Sequence, residues 1–322
     1  DSTLTFSNLP ASGVSDPVTI TTTTASSAFA GVWLTKVCKG TSYTTVVWWD
    51  GTNYVYSTSS DGTTWASAAT FASGTGVANL DIVCSGNAIY YARGGTNQFS
   101  WRSGTMGATV TWDAAEANRA TTQTGTVNRP SVTLDSQSDF WAAVVILSAG
   151  TYYLEVWERA SGTWADRSFT ENGATNYAAT ISTMGSGNIG IIYQAVSGTA
   201  ALTGRQWTGS WSAASNTGTS VYDLSQSSHA VLISSTLYIA AWDRTNSRIG
   251  LLSFTSSWSS FTNLISITPS TDAGATITTD GSGILIIGDL AASSVAFVIS
   301  RNSGTNFGAS YSVATDESTI QN

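Results

Sequence analysis

The sequence predicts an all-β protein, a six-bladed β-propeller of four-stranded antiparallel blades. Three observations support this fold. One aromatic residue recurs at a nearly constant interval, a second column of positions recurs with the same interval, and strand-like segments fill the sequence between the columns. A fixed repeat interval indicates a fold in which each repeat is one supersecondary unit that packs against its neighbours.

The first column is the aromatic residue that closes each repeat after a polar turn. Successive members are 47, 52, 47, 47 and 49 residues apart: Trp65, Trp112, Trp164, Trp211, Trp258 and Phe307. The segments that precede them, such as SSDGTTW and RNSGTNF, are rich in the turn formers Ser, Gly, Asn and Asp. This column divides the chain into six units.

The second column marks the start of the first strand in each unit and is independent of the first column. Its members are 46, 50, 48, 52 and 46 residues apart: Trp33, Asn79, Arg129, Tyr177, His229 and Ala275. Two columns with the same period are hard to obtain by chance, so together they support a repeat of 46–52 residues.

Each unit contains four strand-like segments. The second is a nearly continuous apolar run, as in residues 141–148, which is typical of a strand covered on both faces. The third alternates more clearly, turn residues join it to the second, and a polar fourth strand follows the closing aromatic. Four strands in a repeat of 46–52 residues predict a propeller blade. A solenoid, the competing repeat architecture, needs shorter units and fewer hairpins.

The predicted domain organisation is one propeller with a short arm. The blades are assigned to residues 30–76, 77–126, 127–174, 175–226, 227–272 and 273–322, and the arm to residues 1–29. The arm contains PVTITTTT, which resembles an outer strand. We expect it either to close the ring on the last blade or to pair with a neighbouring subunit.

The composition excludes several classes of partner. Charged residues make up 10% of the chain, the only lysines are Lys36 and Lys39, and the formal net charge is −8. Nucleic-acid binding and attraction to anionic membranes both need clustered basic residues, so neither is predicted. No apolar run is long enough for insertion into a membrane. The Ser/Thr-rich, lysine-poor composition predicts an extracellular location, either secreted, on a cell surface or on a virion.

The two cysteines occupy the same position in adjacent units. Cys38 lies five residues after Trp33, and Cys84 lies five residues after Asn79. Adjacent inner strands of a propeller approach each other near the axis, so the sequence predicts a disulfide between the first two blades, with two buried free thiols as the alternative.

Two closing segments resemble the Asp box of sialidase-like propellers, the BNR repeat, which has the pattern S-x-D-x-G-x-T-W. One segment contributes Ser59, Asp61, Gly62 and Trp65, and the other contributes Ser300, Asn302, Gly304 and Phe307. The resemblance implies a structural turn between the third and fourth strands, in which the Asp side chain bonds to nearby backbone groups. In that family the box is not catalytic.

The same resemblance raises the question of sialidase chemistry, which uses three arginines, a tyrosine next to a glutamate, and an aspartate acid. The nearest segment to the family's Arg-Ile-Pro is Arg129-Pro130, and it lies in the third unit. Glu155 and Glu158 have opposite parity on one strand, so they face opposite sides. The single histidine, His229, has no G-x-S-x-G motif around it, which argues against a Ser-His-Asp triad and a histidine zinc site. We therefore expect no enzyme activity, metal or cofactor, and keep glycoside hydrolysis as the only enzyme class still open.

One face of the predicted propeller is rich in groups that can bind a sugar. The hairpins between second and third strands share this face with the loops that enter each first strand. Aromatic, Arg, Asn and Asp side chains there are suited to sugar rings and hydroxyls. The candidate ligand-binding residues are Asp50, Arg93 and Arg244 from the hairpins, with Trp33, Asn79, Arg129, Tyr177 and His229 from the first strands.

The sequence leaves three functions open. The first is a binding or adhesion module for glycans or another cell-surface ligand. The second is a self-associating structural subunit of a fibre, surface layer or virion, because a weakly charged surface tolerates packing against copies of itself. The third is a sialidase-like glycoside hydrolase. Residues 135–139, DSQSD, are predicted to form a polar hairpin between a first and a second strand.

Overall fold

The computed structural model describes residues 37–73, 79–173, 178–194, 202–217, 222–223, 230–243, 245–266, 275–279, 283–291, 294–300, 306–308 and 311–314. These residues form six antiparallel sheets, which we call blades 1 to 6 in chain order. The predicted all-β propeller class is thereby confirmed. The arm at residues 1–29 lies outside the described residues, so ring closure and the six-blade count stay predictions. Among the described residues, no helix is long and apolar enough to cross a membrane.

The strands follow the predicted units closely. Blade 1 contains β1 (Val37–Lys39), β2 (Thr44–Trp49), β3 (Asn53–Ser59) and β4 (Ala69–Ser73). Blade 2 contains β5 (Leu80–Ser85), β6 (Ala88–Gly94), β7 (Gln98–Thr105), β8 (Thr111–Trp112) and β9 (Ala117–Ala120). Blade 3 contains β10 (Thr126–Leu134), β11 (Phe140–Ser148), β12 (Thr151–Ala160) and β13 (Thr163–Gly173).

The second half of the chain repeats this arrangement. Blade 4 contains β14 (Ala178–Gly185), β15 (Asn188–Gln194), β16 (Leu202–Trp207) and β17 (Ser215–Asn216). Blade 5 contains β18 (Tyr222–Asp223), β19 (Val231–Ile233), β20 (Thr236–Asp243), β21 (Arg248–Phe254) and β22 (Thr262–Ser266). Blade 6 contains β23 (Ala275–Thr279), β24 (Ile284–Ala291), β25 (Ser294–Ser300) and β26 (Tyr311–Ala314).

Two blades carry a fifth short strand that the sequence did not predict. In blade 5, β18 and β19 both pair with β20. Residues 222–223 therefore pair within the fifth sheet, although the predicted boundary placed them in the fourth unit. In blade 2, β8 and β9 both pair with β7, so the outer strand is interrupted between residues 112 and 117.

The core lies between the blades. The second strand β11 is apolar along most of its length because both of its faces are covered. Ala142 and Val144 pack toward blade 2, and Ala143 and Val145 pack toward blade 4. Similar apolar clusters join blades 1 and 2, 4 and 5, and 5 and 6. This burial on both faces explains the near-continuous apolar pattern of the second strands.

The innermost strands lie side by side and contact one another in the order β1, β5, β10, β14, β19 and β23. Each has one edge that makes no ladder within its own blade. Side chains of the preceding blade cover part of this edge. The backbone N–H of Val132 donates to Asp81 (2.8 Å), that of Ile181 donates to Ser131 (3.2 Å), and that of Ala230 donates to Thr180 (3.2 Å). These bonds join positions about one repeat apart and connect blades 2, 3, 4 and 5.

Substitution of Ser131 by Ala should destabilise the fold, because it leaves the buried N–H of Ile181 without its acceptor. The cost of an unsatisfied buried donor is about 1–3 kcal/mol. Chemical denaturation of the variant measures this loss. Ser136→Ala is the matched control, because its Oγ accepts from the exposed N–H of Gly187, which water can reach. Equal stabilities of the two variants would contradict the role of the Ser131 bond.

The predicted disulfide is not shown by the structure. Cys38 and Cys84 lie on the contacting inner strands β1 and β5, as expected, but both are free thiols. The Cys84 thiol points to the carbonyl oxygen of Lys39, with Sγ 3.7 Å away. Burial raises the pKa of Cys38 well above its ordinary value. A hydrogen bond from Cys38 lowers the pKa of Cys84. The two groups therefore interact as hydrogen-bonded thiols.

The two thiols should differ in reactivity. Cys84 is half-buried and has the lower pKa, so more of it is the nucleophilic thiolate at neutral pH. We expect iodoacetamide to alkylate Cys84 before Cys38, as followed by peptide mass spectrometry over time. The same reaction in denaturant provides the control, because there the two rates should converge. Faster labelling of Cys38 in the folded protein would refute this assignment.

Candidate functional site

A compact polar group lies where blades 1 and 2 meet. The carboxylate of Glu116 accepts a hydrogen bond from the Tyr91 hydroxyl (2.8 Å) and another from Arg93 Nε (2.6 Å). Arg93 Nη2 donates to the second carboxylate oxygen, so the ion pair is bidentate. This geometry is the strong and directional form of an Arg–carboxylate pair. We call this group and its aromatic walls cleft A.

Local structure explains how these three side chains meet. Tyr91 and Arg93 are alternate residues of β6, so their side chains leave the same face of the strand. Glu116 belongs to the interruption between β8 and β9 and immediately precedes β9. A continuous outer strand would commit this segment to ladder pairing, whereas the interruption lets the carboxylate reach back to β6.

Aromatic rings form the walls of cleft A. Phe71, from β4 of the preceding blade, lies 5.2 Å from Tyr91 and stacks on Trp112 at 5.3 Å, measured between ring centroids. Trp112 also meets the Tyr91 ring edge-on at 5.3 Å. The polar group is therefore bordered by rings from both blades.

A second group, cleft B, has the same chemistry between blades 3 and 4. The carboxylate of Glu171 accepts from the Tyr193 hydroxyl (3.2 Å) and from Arg205 Nη2 (2.6 Å). Phe169, from the outer strand of blade 3, lies 5.6 Å from Tyr193 and 4.7 Å from Trp211. Phe169 and Trp211 thus take the places that Phe71 and Trp112 take in cleft A.

The two clefts share their aromatic frame but obtain their charges from different strands. The basic residue is Arg93 on the second strand in cleft A and Arg205 on the third strand in cleft B. The acidic residue comes from blade 2 in cleft A and from blade 3 in cleft B. All four charged side chains are partly accessible, with 20–28% of their surface exposed. A solute can therefore reach both ion pairs.

The phenols of both clefts are held neutral. Burial raises the pKa of Tyr193 to about 12, and the negative charge of Glu171 acts in the same direction. Burial and the charge of Glu116 raise the pKa of Tyr91 well above its ordinary value. The hydrogen bond to Glu116 raises the pKa of Arg93. Cleft B thus combines one cation, one anion and a neutral hydroxyl, whereas cleft A also has Arg102, whose guanidinium carbon lies 5.5 Å from the Trp112 ring centroid.

The structure describes four of the eight residues of the predicted ligand face. Arg93 lies in cleft A. Asp50 is exposed and accepts from the backbone N–H groups of Thr52 (2.8 Å) and Asn53 (2.6 Å), so it caps its own hairpin. Asn79 supplies its carbonyl oxygen to the N–H of Gly94. Arg129 occupies a bulge of β10 with a φ of 49°. Trp33, Tyr177, His229 and Arg244 lie outside the described residues, so the assembly of this face stays a prediction.

The segment that resembles an Asp box is a turn bonded by its own side chains. Asp61 Oδ1 accepts from the N–H groups of Thr63 (2.7 Å) and Thr64 (2.6 Å), and these bonds lower the pKa of Asp61. Ser59 Oγ accepts from the N–H of Gly62 (2.8 Å), and the Trp65 indole donates to the Gly62 carbonyl (3.2 Å). These bonds give the segment a structural role.

The second segment that resembles an Asp box is only partly described. Ser300 and Phe307 form a bridge, whereas Asn302 and Gly304 lie outside the described residues. Membership of the Asp-box family stays a prediction.

One acidic group has the spacing of a metal site. Carboxylate oxygens of Asp135, Asp139 and Glu158 lie within 4.8 Å of one another. Asp135 accepts bonds from its own hairpin and from the Trp141 indole, as expected for the polar turn at residues 135–139. Glu158 forms an ion pair with Arg167. The chain therefore already supplies donors to two of these carboxylates.

Sequence reasoning missed most of both clefts. It identified Arg93 but missed the other five residues: Tyr91, Glu116, Glu171, Tyr193 and Arg205. One signal was present, because corresponding residues recur about two units apart, as in Tyr91 and Tyr193. The Glu and Arg positions do not recur in the same way, which concealed the pairs.

Comparison with known proteins identifies the fold and no closer relationship. No protein-family model and no curated protein matches the chain in sequence. An ulvan lyase of a polysaccharide lyase family, solved bound to -[GlcA(1-4)Rha3S]-, is similar with 12% identity and a TM-score of 0.61, covering 91% of this chain and 85% of that one. Aleuria aurantia lectin, solved as a mutant with alpha-methyl-L-fucoside, is similar with 12% identity and a TM-score of 0.56, covering 88% and 94%.

A third similar structure is a Trypanosoma rangeli sialidase mutant displaying trans-sialidase activity. It has 12% identity and a TM-score of 0.55, and the match covers 97% of this chain but 57% of that one. At such low identity these likenesses show the fold alone, which is that of a β-propeller. The sialidase-like architecture is thus supported only at the level of the propeller.

The expectation that the chain is not an enzyme is corrected by these structures. The same propeller architecture carries a lyase and a sialidase as well as a lectin. The expectation relied on the failure to place familiar catalytic residues along the sequence. Clefts A and B show the weakness of that inference. Each contains a Tyr–Glu pair beside an Arg, and the sequence did not reveal that these residues meet.

The raised pKa of Tyr193 predicts a late phenol titration. Ordinary tyrosines ionise near pH 10, whereas Tyr193 should remain neutral until about pH 12. Because the folded pKa is the higher, the stabilising contribution is complete below about pH 10 and is lost as the pH rises toward 12. In an alkaline titration of the wild type, the phenolate absorbance should rise in a late phase near pH 12. In the Tyr193→Phe variant this late phase should be smaller by the amplitude of one tyrosine. A single transition near pH 10 would contradict this prediction.

Proposed function

We propose that this protein is a carbohydrate-binding β-propeller in which clefts A and B bind neutral sugar rings. One observation carries the proposal: the same Tyr–Glu–Arg group, set between aromatic rings, occurs at two separate blade junctions. A structural ion pair needs neither the hydroxyl nor the aromatic walls. The recurrence of all the components favours a common ligand chemistry.

The chemistry of each cleft suits vicinal hydroxyl groups. A sugar hydroxyl both donates and accepts hydrogen bonds, and the Arg–Glu pair supplies a donor and an acceptor side by side. The apolar face of a sugar ring packs on aromatic side chains such as Trp211. Because the arginine and the glutamate of each cleft are paired with each other, a neutral sugar enters without leaving either charge unpaired.

The propellers of similar fold support this direction. One was solved with alpha-methyl-L-fucoside and another with -[GlcA(1-4)Rha3S]-. Sugars are thus bound on this architecture in both a lectin and a lyase. For this chain we propose sugar recognition. Calorimetric titration and product analysis together distinguish binding alone from turnover.

Removal of the arginines should abolish the sites one at a time. We expect calorimetric titration with a panel of neutral methyl glycosides, beginning with methyl α-L-fucoside, to show a binding stoichiometry that falls by one in Arg93→Ala and by one in Arg205→Ala. A lost charged hydrogen bond costs about 1.5–3 kcal/mol, which weakens the affected site by roughly tenfold to a hundredfold. The double variant should lose both sites.

Arg248→Ala is the matched control, because Arg248 is exposed on β21 and belongs to neither cleft. Binding that survives in the double variant at wild-type strength would refute the assignment of the clefts. Incubation with neutral polysaccharides, followed by product analysis, adds the second readout. Product release that requires Tyr91 or Glu116 would identify cleft A as a catalytic site.

A further inference from the structure

The junction between blades 2 and 3 has a different composition from clefts A and B. Arg119, on the outer strand β9, lies over the Trp157 ring with 4.3 Å from its guanidinium carbon to the ring centroid. Arg159, on β12, lies over the Trp101 ring at 4.2 Å. These four residues define what we call cleft C.

The two stacked pairs belong to one aromatic cluster. Trp164 lies 5.7 Å from Trp101 and 5.1 Å from Phe99, and Phe99 lies 6.4 Å from Trp157. The rings come from both blades and pack in the same apolar core. Arg119 and Arg159 therefore border a single surface rather than two unrelated ones, and both are partly exposed.

The arginines of cleft C differ from those of clefts A and B in their partners. Arg93 and Arg205 are each paired with a glutamate. Within the part of the chain that the structure describes, no ion pair joins Arg119 or Arg159 to a carboxylate. The buried Nε of each has no hydrogen-bond partner there, as is also true of Arg205 Nε in cleft B. Because each side chain is partly exposed, an anionic group of a ligand can approach its positive charge.

The two acidic side chains beside Trp157 are committed elsewhere. Glu155 is buried and accepts from the backbone N–H groups of Thr122 (3.1 Å) and Gln123 (2.7 Å) and from the Trp157 indole (3.0 Å). Asp166 accepts from the Thr122 hydroxyl and from the N–H of Ser168. Glu155 thus fixes the loop that leads into β10 and orients Trp157 beneath Arg119. Neither carboxylate neutralises the stacked arginines by direct contact.

We propose that cleft C binds the negatively charged group of an acidic sugar, a carboxylate or a sulfate. A guanidinium that stacks on an indole keeps its in-plane N–H groups for an oxyanion, and the stacking holds it in a fixed orientation. Two such groups on one aromatic surface suit a saccharide that carries repeated negative charges. The inference rests on the proposed sugar-binding function and extends it from neutral to acidic residues of a polysaccharide.

The test compares three probes of related size: an oligogalacturonate, a sulfated dextran oligosaccharide and a neutral dextran oligosaccharide. We expect wild-type protein to bind at least one acidic probe, and the Arg119→Gln, Arg159→Gln double variant to bind it about tenfold or more weakly. The neutral glycosides of clefts A and B should bind this variant as they bind wild type. The protein has a net charge of −8, so general attraction to a polyanion does not mimic the effect.

Additional variants keep the two proposals separable. Arg119→Lys retains the charge but loses the planar fork, and it should weaken acidic binding without affecting the fold, as checked by thermal unfolding. Arg248→Gln controls for general loss of positive charge. The inference would be overturned if Arg119→Lys and the Arg119→Gln, Arg159→Gln double variant bound the acidic probe as wild type does. It would also be overturned if wild-type protein bound neutral glycosides but neither acidic probe. Loss of neutral binding on Arg93→Ala and Arg205→Ala tests clefts A and B independently.

Discussion

The open edge of the innermost strand is the constraint on which the rest of the structure depends. A strand at the edge of a sheet exposes N–H groups that need acceptors, and here the donor residues Val132, Ile181 and Ala230 are buried. Asp81, Ser131 and Thr180 supply acceptors from the preceding blade, about one repeat earlier in sequence. These bonds fix the register of one blade against the next in a way that apolar packing alone does not.

The blade register in turn determines the clefts. Cleft B needs Glu171 from blade 3 opposite Arg205 from blade 4, and a shift of one residue would turn one of the two side chains to the other face of its strand. Cleft A needs Phe71 from blade 1 beside Tyr91 from blade 2. Gly204 shows how tightly the frame is packed, because a Cβ there would lie 2.5 Å from the Phe254 ring of the next blade.

The junctions share an aromatic frame and differ in their charges. Junctions 1–2 and 3–4 each combine a guanidinium with a glutamate, whereas junction 2–3 holds two stacked guanidiniums that no described carboxylate contacts. A repeat fold permits this variation because each junction contacts only its neighbours, so a substitution in one leaves the others in place. One propeller can thus carry different arrangements of charge at successive blade junctions.

The sequence by itself determined the strands, their order and their division into repeating units, because these depend on local alternation, apolar runs and turn residues that recur with a constant period. Strand β11 and the hairpin of Asp50 could be predicted for this reason. Only the tertiary structure decided which charged residues meet. Glu171 and Arg205 are 34 positions apart and lie on different blades. Their contact depends on the register of blade 3 against blade 4, which no local pattern encodes. The same reason explains why two cysteines at matching positions could be placed on adjacent strands, whereas the sequence left open whether they form a disulfide or remain free thiols.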